Sequence, residues 1–305
     1  MNVAVSWQGV YPALLTPFTA EDELDLDLFE KNLRTQLEAG VSGFIIGGSL
    51  GEASTITRAE KIALLERALT VSAGQVPVIV NVAEQATREA IACAQEAEAH
   101  GADGLMLLPP MRYYADSRET VTFFKAVAKA TSLPIMLYNN PVDYKILTTI
   151  DMLTELAELP NIQAIKESTR DLTNIIRTHN ALGNRYKIMG GVDTLIVESI
   201  VLGADGLVGG LVDAFPQETV TLFNLTKAGQ LTEAMEIYRW FMPLLELDIH
   251  PKLVQNIKLA ATATGIGSEY VRAPRLPLIG EERARVQAMI DKALATRPTL
   301  STASL

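Results

Sequence analysis

The chain reads as an α/β protein, a parallel (β/α)₈ TIM barrel followed by a C-terminal helical extension. Short apolar runs of strand length recur along it, each followed by a helical stretch, eight times before residue 229. The run ending at Ile165 is largely apolar rather than alternating, as a strand buried on both faces of a parallel sheet is. At 305 residues, with 48% hydrophobic and 20% charged content, the chain can bury one large core of this kind. Eight such units fit a closed barrel better than an open doubly wound sheet.

Gly9-Val10-Tyr11-Pro12-Ala13-Leu14-Leu15 reads as the first strand, its proline near the start, where a missing N–H donor is tolerated. Leu26 to Ala39 is amphipathic and stops at Gly40, a residue suited to the left-handed end of a helix. Gly43 to Gly47 predicts the second strand, followed by the loop Gly48-Ser49-Leu50-Gly51-Glu52. A helix over Arg58 to Ala73 leads to the strand Val78 to Val82. A helix over Thr87 to His100 leads to the strand Gly104 to Leu108, closed by Pro109-Pro110. Ser117 to Ala130 predicts a helix, Ile135 to Asn139 the fifth strand, and Thr149 to Leu159 the fifth helix. The sixth strand starts after Pro160-Asn161 and runs to Lys166; the sixth helix spans Asp171 to Leu182, with Asp171 near its N-cap. Tyr186 to Gly190, Asp193 to Leu202 and Gly206 to Val208 then read as strand, helix and short strand, and a further helix opens near Pro216. Everything beyond is helical: Leu231 to Leu247, Lys252 to Thr264 and Glu281 to Ala295, interrupted by Ala273-Pro274-Arg275-Leu276-Pro277. The expected organisation is a barrel over residues 1–228 and an extension over 229–305.

Composition removes several functional classes. A net charge of −10 and a pI near 4.9 argue against binding a phosphate backbone, and no basic stripe with interleaved aromatics appears. The opening Met1-Asn2-Val3-Ala4-Val5 lacks the basic and apolar regions of a signal peptide. No apolar run approaches the roughly 20 residues that span a bilayer. A cytoplasmic protein with neither nucleic-acid nor membrane partners is the expectation. Cys93 is the only cysteine, so no internal disulfide and no cysteine metal cluster can form. His100, His179 and His250 are scattered without metal-ligand spacing, and no metal is expected.

Chemistry gathers around the end of the sixth strand. Ile162, Ala164 and Ile165 are apolar, and the run then ends on Lys166. A buried ammonium is costly unless paired, and desolvation pulls a lysine pKa down from about 10.4. A lysine made neutral in this way is a nucleophile that forms a Schiff base with a carbonyl. The plainer alternatives are that Lys166 reaches solvent or pairs with a carboxylate such as Glu167. Barrel enzymes work at the C-terminal ends of their strands. That rim also carries the Gly47–Glu52 loop, whose amides and Ser49 hydroxyl can hold a carboxylate, and Tyr138, whose phenol can shuttle a proton. Each signal alone is weak; a hydroxyl, a phenol and a lysine on one rim are a specific combination.

In order along the chain, Gly47-Gly48-Ser49-Leu50-Gly51-Glu52, Tyr138-Asn139-Asn140-Pro141, Ala164-Ile165-Lys166-Glu167-Ser168 and Gly191-Val192-Asp193 resemble the motifs of the dihydrodipicolinate synthase and N-acetylneuraminate lyase family of Schiff-base barrel enzymes. The resemblance covers residues 9 to about 295. It implies that Lys166 forms an imine with the keto carbon of a 2-oxo acid. Tyr138 would move protons near that carbon with Ser49 as relay partner. The main-chain amides of Ser49 and Leu50 would cradle the substrate carboxylate, and Gly191 and Val208 would line the lysine pocket. It also implies no metal or organic cofactor, and a homotetramer built as a dimer of dimers.

Departures from the synthase pattern narrow the substrate. Synthases usually carry two adjacent threonines where this chain has Ser49-Leu50, and an arginine for a second carboxylate where it has Asp143. The tyrosine usually contributed across the dimer interface is replaced by Met111 or Arg112, unless a shift brings Tyr113 there. Together with Tyr238-Arg239-Trp240-Phe241, His250-Pro251-Lys252-Leu253-Val254-Gln255 and Arg272-Ala273-Pro274-Arg275-Leu276, these features resemble the branch of 1-pyrroline-4-hydroxy-2-carboxylate deaminases. The cyclic imine carboxylate would be opened on Lys166 and lose its 4-hydroxyl and then ammonia, giving 2,5-dioxopentanoate. Arg112 or Asp143 would contact the distal part of that substrate, or else remain solvated loop charges. The alternatives keep the same lysine: an aldolase or dehydratase of a 4-hydroxy- or 3-deoxy-2-oxo acid, or a pyruvate condensation. A 2-oxo-acid sensor is the non-catalytic reading, and the presence of Lys166, Tyr138 and Ser49 counts against it.

Overall fold

The computed structural model describes residues 3–300; Met1 and Asn2 of the opening segment and residues 301–305 of the extension lie outside it. Strands β1 (Gly9–Pro12), β2 (Phe44–Ile46), β3 (Val78–Val82), β4 (Gly104–Leu107), β5 (Ile135–Asn139), β6 (Ile162–Glu167), β7 (Lys187–Gly190) and β8 (Gly206–Gly209) form one sheet. Their order is β1-β8-β7-β6-β5-β4-β3-β2, with every ladder parallel. The remaining seam is bridged where Ala13 pairs with Ile45, the Leu14 N–H donating to the Ile45 carbonyl at 2.8 Å. This is the (β/α)₈ barrel read from the sequence.

The apolar runs have a simple cause. Side chains alternate across a strand, and both faces are covered. Tyr11, Ile45, Ile79, Met106, Met136, Ala164, Met189 and Val208 fill the barrel interior beneath Tyr138. The alternate set, among them Phe44, Val80, Leu105, Leu137 and Ile165, meets the surrounding helices.

Helix ends follow local chemistry. Helix α1 (Leu26–Ala39) is capped by Asp25, which accepts from the Leu28 N–H at 2.9 Å, and ends on Gly40 at φ 87°. Helices α2 (Arg58–Ser72) and α4 (Ser117–Lys129) open on capping boxes, Thr57 with Glu60 and Asp116 with Glu119, while α3 (Thr87–Ala99) lies between them. After β5 comes a one-turn helix not anticipated from the sequence, α5 (Pro141–Tyr144), with proline in its first turn and Asn140 accepting from the Asp143 N–H at 3.2 Å. Helix α6 (Ile150–Leu156) is correspondingly shorter than the expected span to Leu159. Helix α7 (Thr173–Leu182) is preceded by Asp171, whose carboxylate accepts from the Thr173 N–H at 3.1 Å. The expected helix from Asp193 instead starts as a 3₁₀ turn (Asp193–Leu195) before α8 (Ile196–Val201), because the Asp193 carboxylate is drawn across to the amides of Gly210 and Leu211. Helix α9 (Pro216–Lys227) completes the ring.

Helices α10 (Leu231–Leu245), α11 (Leu253–Ala263) and α12 (Gly280–Ala295) follow. A ring cluster of Phe215, Trp240 and Phe241, with centroids 5.2 to 6.0 Å apart, fastens α10 to the barrel. The α10–α11 connection passes over the barrel mouth, where Asp248 and Ile249 join its lining. Among the described residues no helix is long and apolar enough to cross a membrane.

Candidate active site

The C-terminal ends of the strands open onto a cleft of about 700 Å³. Lys166, Tyr138, Ser49, Leu50, Gly191, Val208 and Asp143 all line it. In the register of the sheet Lys166 stands opposite Tyr138 on β5 and Met189 on β7. Its side chain is only 6% exposed, and Nζ lies 4.2 Å from the centroid of the Tyr138 ring. Both plain alternatives for this lysine therefore fail. It does not reach solvent, and it does not pair with Glu167, which the strand pleat turns to the opposite face. There the Glu167 carboxylate accepts from the Thr169 N–H at 2.7 Å and from Asn174 at 2.6 Å. Desolvation pulls the Lys166 ammonium below its ordinary 10.5, opposed by the Tyr144 phenol and the carboxyls of Asp248, Asp193 and Asp143.

The lysine stem passes so close to β7 that only glycine fits there. A methyl group on Gly191 would stand 2.1 Å from Ser168 Oγ and 2.8 Å from Lys166 Cγ. Gly191→Ala is therefore expected to displace the amine. Since a shift near 1 Å can cost about 10²-fold, kcat should fall by about that factor, and the overpacked site should also lower the melting temperature. Steady-state kinetics beside a circular-dichroism melt check this, and an unaltered kcat would show that the stem has room to spare.

Tyr138 is 7% exposed, and its phenol oxygen accepts from Asn140 Nδ2 at 3.2 Å. Burial pushes this phenol up to about 12, against opposing hydrogen bonds from Asn140 and Ser168. Ser49, expected as the relay partner of Tyr138, does not bond it directly. Helix α5 folds back over the cleft and inserts Tyr144 between them. The Ser49 hydroxyl hydrogen-bonds the Tyr144 phenol, and the Tyr144 ring meets Tyr138 edge-on, with centroids 5.4 Å apart at 81°. Ser49 and Tyr144 are thus joined through their hydroxyls, and Tyr144 and Tyr138 through their rings. Tyr144→Phe is expected to slow C3–H exchange of bound pyruvate by up to about 10²-fold, the lower range for a proton-transfer group. Deuterium incorporation followed by NMR reads it out.

The serine loop is anchored from outside the barrel. Glu52, held at a left-handed φ of 57°, is buried against Lys258 of α11 at 2.6 Å. Lys258 also donates to the Tyr270 carbonyl at 2.6 Å, and the Arg272 N–H donates to Glu52 at 3.1 Å. Burial pulls Lys258 down to about 8, with Glu52 opposing. The loop's tight turn, Glu52 N–H to the Ser49 carbonyl at 3.2 Å, leaves the amides of Ser49 and Leu50 without an acceptor among the described residues. Two free N–H donors at a cleft wall can hold a carboxylate.

Arg112 does not join this site. It lines a separate cavity of about 1560 Å³ with Lys61, Glu84 and Glu89, for which Ser49 and Tyr144 form the shared wall. Its backbone N–H donates to Gln85 at 2.8 Å, which holds the segment on that side. Of the two residues expected at the distal end of the substrate, only Asp143 lies in the cleft, hydrogen-bonded to Asn140 at 2.8 Å. Tyr144, Asn140 and Asp248 line the cleft without having been singled out from the sequence. The Asn140-Pro141 pair is a helix-start signal that would have revealed α5 and hence Tyr144. Asp248 carries no such signal. Among the described residues no cluster of His, Cys, Asp or Glu is arranged to hold a metal.

Comparison with known proteins places the sequence and the fold. The chain matches the model of the dihydrodipicolinate synthetase family over residues 6–293. It is 36% identical over 281 residues to the 4-hydroxy-tetrahydrodipicolinate synthase of Exiguobacterium sibiricum, covering 91% of this chain and 94% of that one. Among solved structures, the dihydrodipicolinate synthase of Aquifex aeolicus superposes with a TM-score of 0.89 at 28% identity, covering 93% of this chain and 97% of that one. The Acinetobacter baumannii enzyme, solved with pyruvate, gives 0.90 at 26% identity, covering 94% and 99%. Matched along nearly its whole length in sequence and in fold, this chain belongs to the dihydrodipicolinate synthetase family.

Proposed function

We propose that the protein is a Schiff-base lyase that deaminates 1-pyrroline-4-hydroxy-2-carboxylate to 2,5-dioxopentanoate and ammonia. One observation carries the covalent part: Lys166 is buried at the cleft floor with no ion pair among the described residues, beneath the phenol of Tyr138. An amine in that setting is held toward its neutral, nucleophilic form. It attacks the ring C=N carbon, the ring nitrogen departs as an amine, and the substrate carboxylate rests on the Ser49 and Leu50 amides. Asp143 supports the choice of substrate. A carboxylate on the distal wall repels a second substrate carboxylate and attracts the ammonium that ring opening creates.

A second reading is condensation of pyruvate with aspartate semialdehyde, favoured by the names of the relatives, which are synthases. It uses the same amine and differs at the distal wall. An aldolase or dehydratase of a 4-hydroxy-2-oxo acid uses the same amine as well. A side-by-side panel separates them: 1-pyrroline-4-hydroxy-2-carboxylate, 4-hydroxy-2-oxoglutarate, 2-keto-3-deoxy sugar acids, and pyruvate with aspartate semialdehyde. The highest kcat/KM is expected for the first, with ammonia released in step with the dioxo product. Preference for the last pair would sink the deaminase reading and the argument from Asp143.

A further inference from the structure

The cleft contains a carboxyl that neither imine formation nor the family motifs employ. Asp248 sits on the α10–α11 connection and lines the cleft together with Lys166, Tyr138 and Asp143. No ion pair or side-chain hydrogen bond engages its carboxyl among the described residues. The carboxyl lies against the backbone at Gly210, where a methyl group would stand 2.5 Å from its Oδ1, and the Asp193 N–H donates to it. Asp193 itself is fully occupied with the amides of Gly210 and Leu211, at 3.1 and 2.7 Å. Asp143 is held by Asn140 at the rim. Of the carboxyls acting on Lys166, Asp248 is the one that lines the cleft with no side-chain hydrogen bond or ion pair among the described residues. Burial, together with the neighbouring Asp193, pushes it well above the usual carboxylate range, with the Lys166 amine opposing.

We propose that Asp248 is the general acid that protonates the C4 hydroxyl of the substrate as it leaves. The proposal rests on the lysine-imine reading above and gives the substrate class a chemical mark: a hydroxyl two carbons from the imine carbon. With C2 joined to Lys166, removal of the C3 proton forms the C2=C3 enamine. Its electron pair then forms C3=C4 as the C4–O bond breaks, and the Asp248 O–H passes its proton to the departing oxygen. One water leaves, Asp248 remains as a carboxylate until solvent reprotonates it, and nothing is oxidised or reduced. Hydroxide is a poor leaving group, so this elimination needs an acid, whereas enamine attack of pyruvate on an aldehyde expels nothing at C4. The C-terminal helices, by carrying Asp248 over the mouth, would then supply part of the active site.

The test is Asp248→Asn in the full-length protein. Borohydride trapping with pyruvate should still leave an adduct on Lys166, and deuterium exchange at pyruvate C3 should fall far less than turnover of the hydroxylated substrate. Turnover of 1-pyrroline-4-hydroxy-2-carboxylate should fall by about 10²- to 10⁴-fold in kcat, the range for a general acid. With the 4-fluoro analogue, whose fluoride leaves without a proton, the defect should shrink to less than about tenfold. Asp248→Glu should recover part of the lost rate, and the alkaline fall of the wild-type kcat profile should be missing from Asp248→Asn. Unchanged turnover of the hydroxylated substrate overturns the proposal. So does an equal loss with both leaving groups, or loss of trapping in the variant, since either makes the role structural. If wild type itself forms no trapped adduct on Lys166, the imine reading falls and takes this one with it.

Discussion

Lys166→Met is expected to abolish turnover and at the same time to make the protein more stable near neutral pH. The catalytic loss should reach about 10⁴-fold or more, the scale on which removal of a covalent nucleophile registers. Borohydride with pyruvate should leave no reduced adduct, whereas wild type carries one that peptide mass spectrometry assigns to residue 166. The gain in stability has a separate origin. The amine lies at 6% exposure with its folded pKa below 10.5, so the native state binds this proton less tightly than the unfolded chain does. Between the folded and unfolded values the unfolded state carries more protons, and stability rises with pH across that window. Below the window the fold bears the whole penalty of the mismatch, and above about 10.5 the penalty is gone. Methionine is close to lysine in length, has no charge, and fits the sulfur- and methyl-lined floor made by Met136 and Met189. Thermal melts of both proteins should therefore show the variant ahead near pH 7 and the gap narrowing toward pH 10. An adduct on any other lysine would sink the nucleophile assignment, and a pH-independent gap would sink the burial argument.

How much of this was legible beforehand follows from which forces act locally. The strands were readable because both of their faces are covered, so Val78–Val82 and Ile135–Asn139 leave largely apolar signatures whose ends match the structure. Lys166 was readable for the same reason, as a cation interrupting a run that is otherwise buried. Residues on the loops beyond the strands obey turn chemistry and tertiary contacts instead. Asp143 and Arg112 both looked like distal contacts, yet only the one carried by the single-turn helix after β5 enters the cleft. Arg112 is held on the far side of the Ser49–Tyr144 wall, in a neighbouring cavity. Asp248 lies 82 positions beyond Lys166 in the numbering, on a connection whose path is set by α10 and α11 packing. No local pattern encodes that arrival.

Tyr138→Phe should divide the reaction into the half that survives and the half that does not. Imine formation takes place at the amine and the carboxylate cradle and draws on Tyr138 only for a proton that solvent can also deliver, so borohydride should still trap substrate on Lys166. Exchange of the C3 proton and all steps after it should slow by about 10²- to 10⁴-fold, the usual worth of a positioned acid–base group. The phenol cannot act as a base in the empty cleft near neutral pH, because burial pushes it up to about 12. Imine formation changes that. It creates a cationic nitrogen where Lys166 Nζ now lies 4.2 Å from the tyrosine ring, and a cation at that range favours the phenolate. Tyr138 can therefore give its proton to the departing ring nitrogen or carbinolamine oxygen, and recover one from C3. Asn140, donating at 3.2 Å, holds the oxygen in place through both transfers. In the phenylalanine variant any residual exchange must draw on hydroxide, so its rate should climb in proportion to hydroxide concentration. The wild-type rate should level off well below pH 12. Deuterium incorporation into pyruvate measured from pH 6 to pH 10 distinguishes the two profiles. Parallel profiles in wild type and variant would remove Tyr138 from the proton-transfer step.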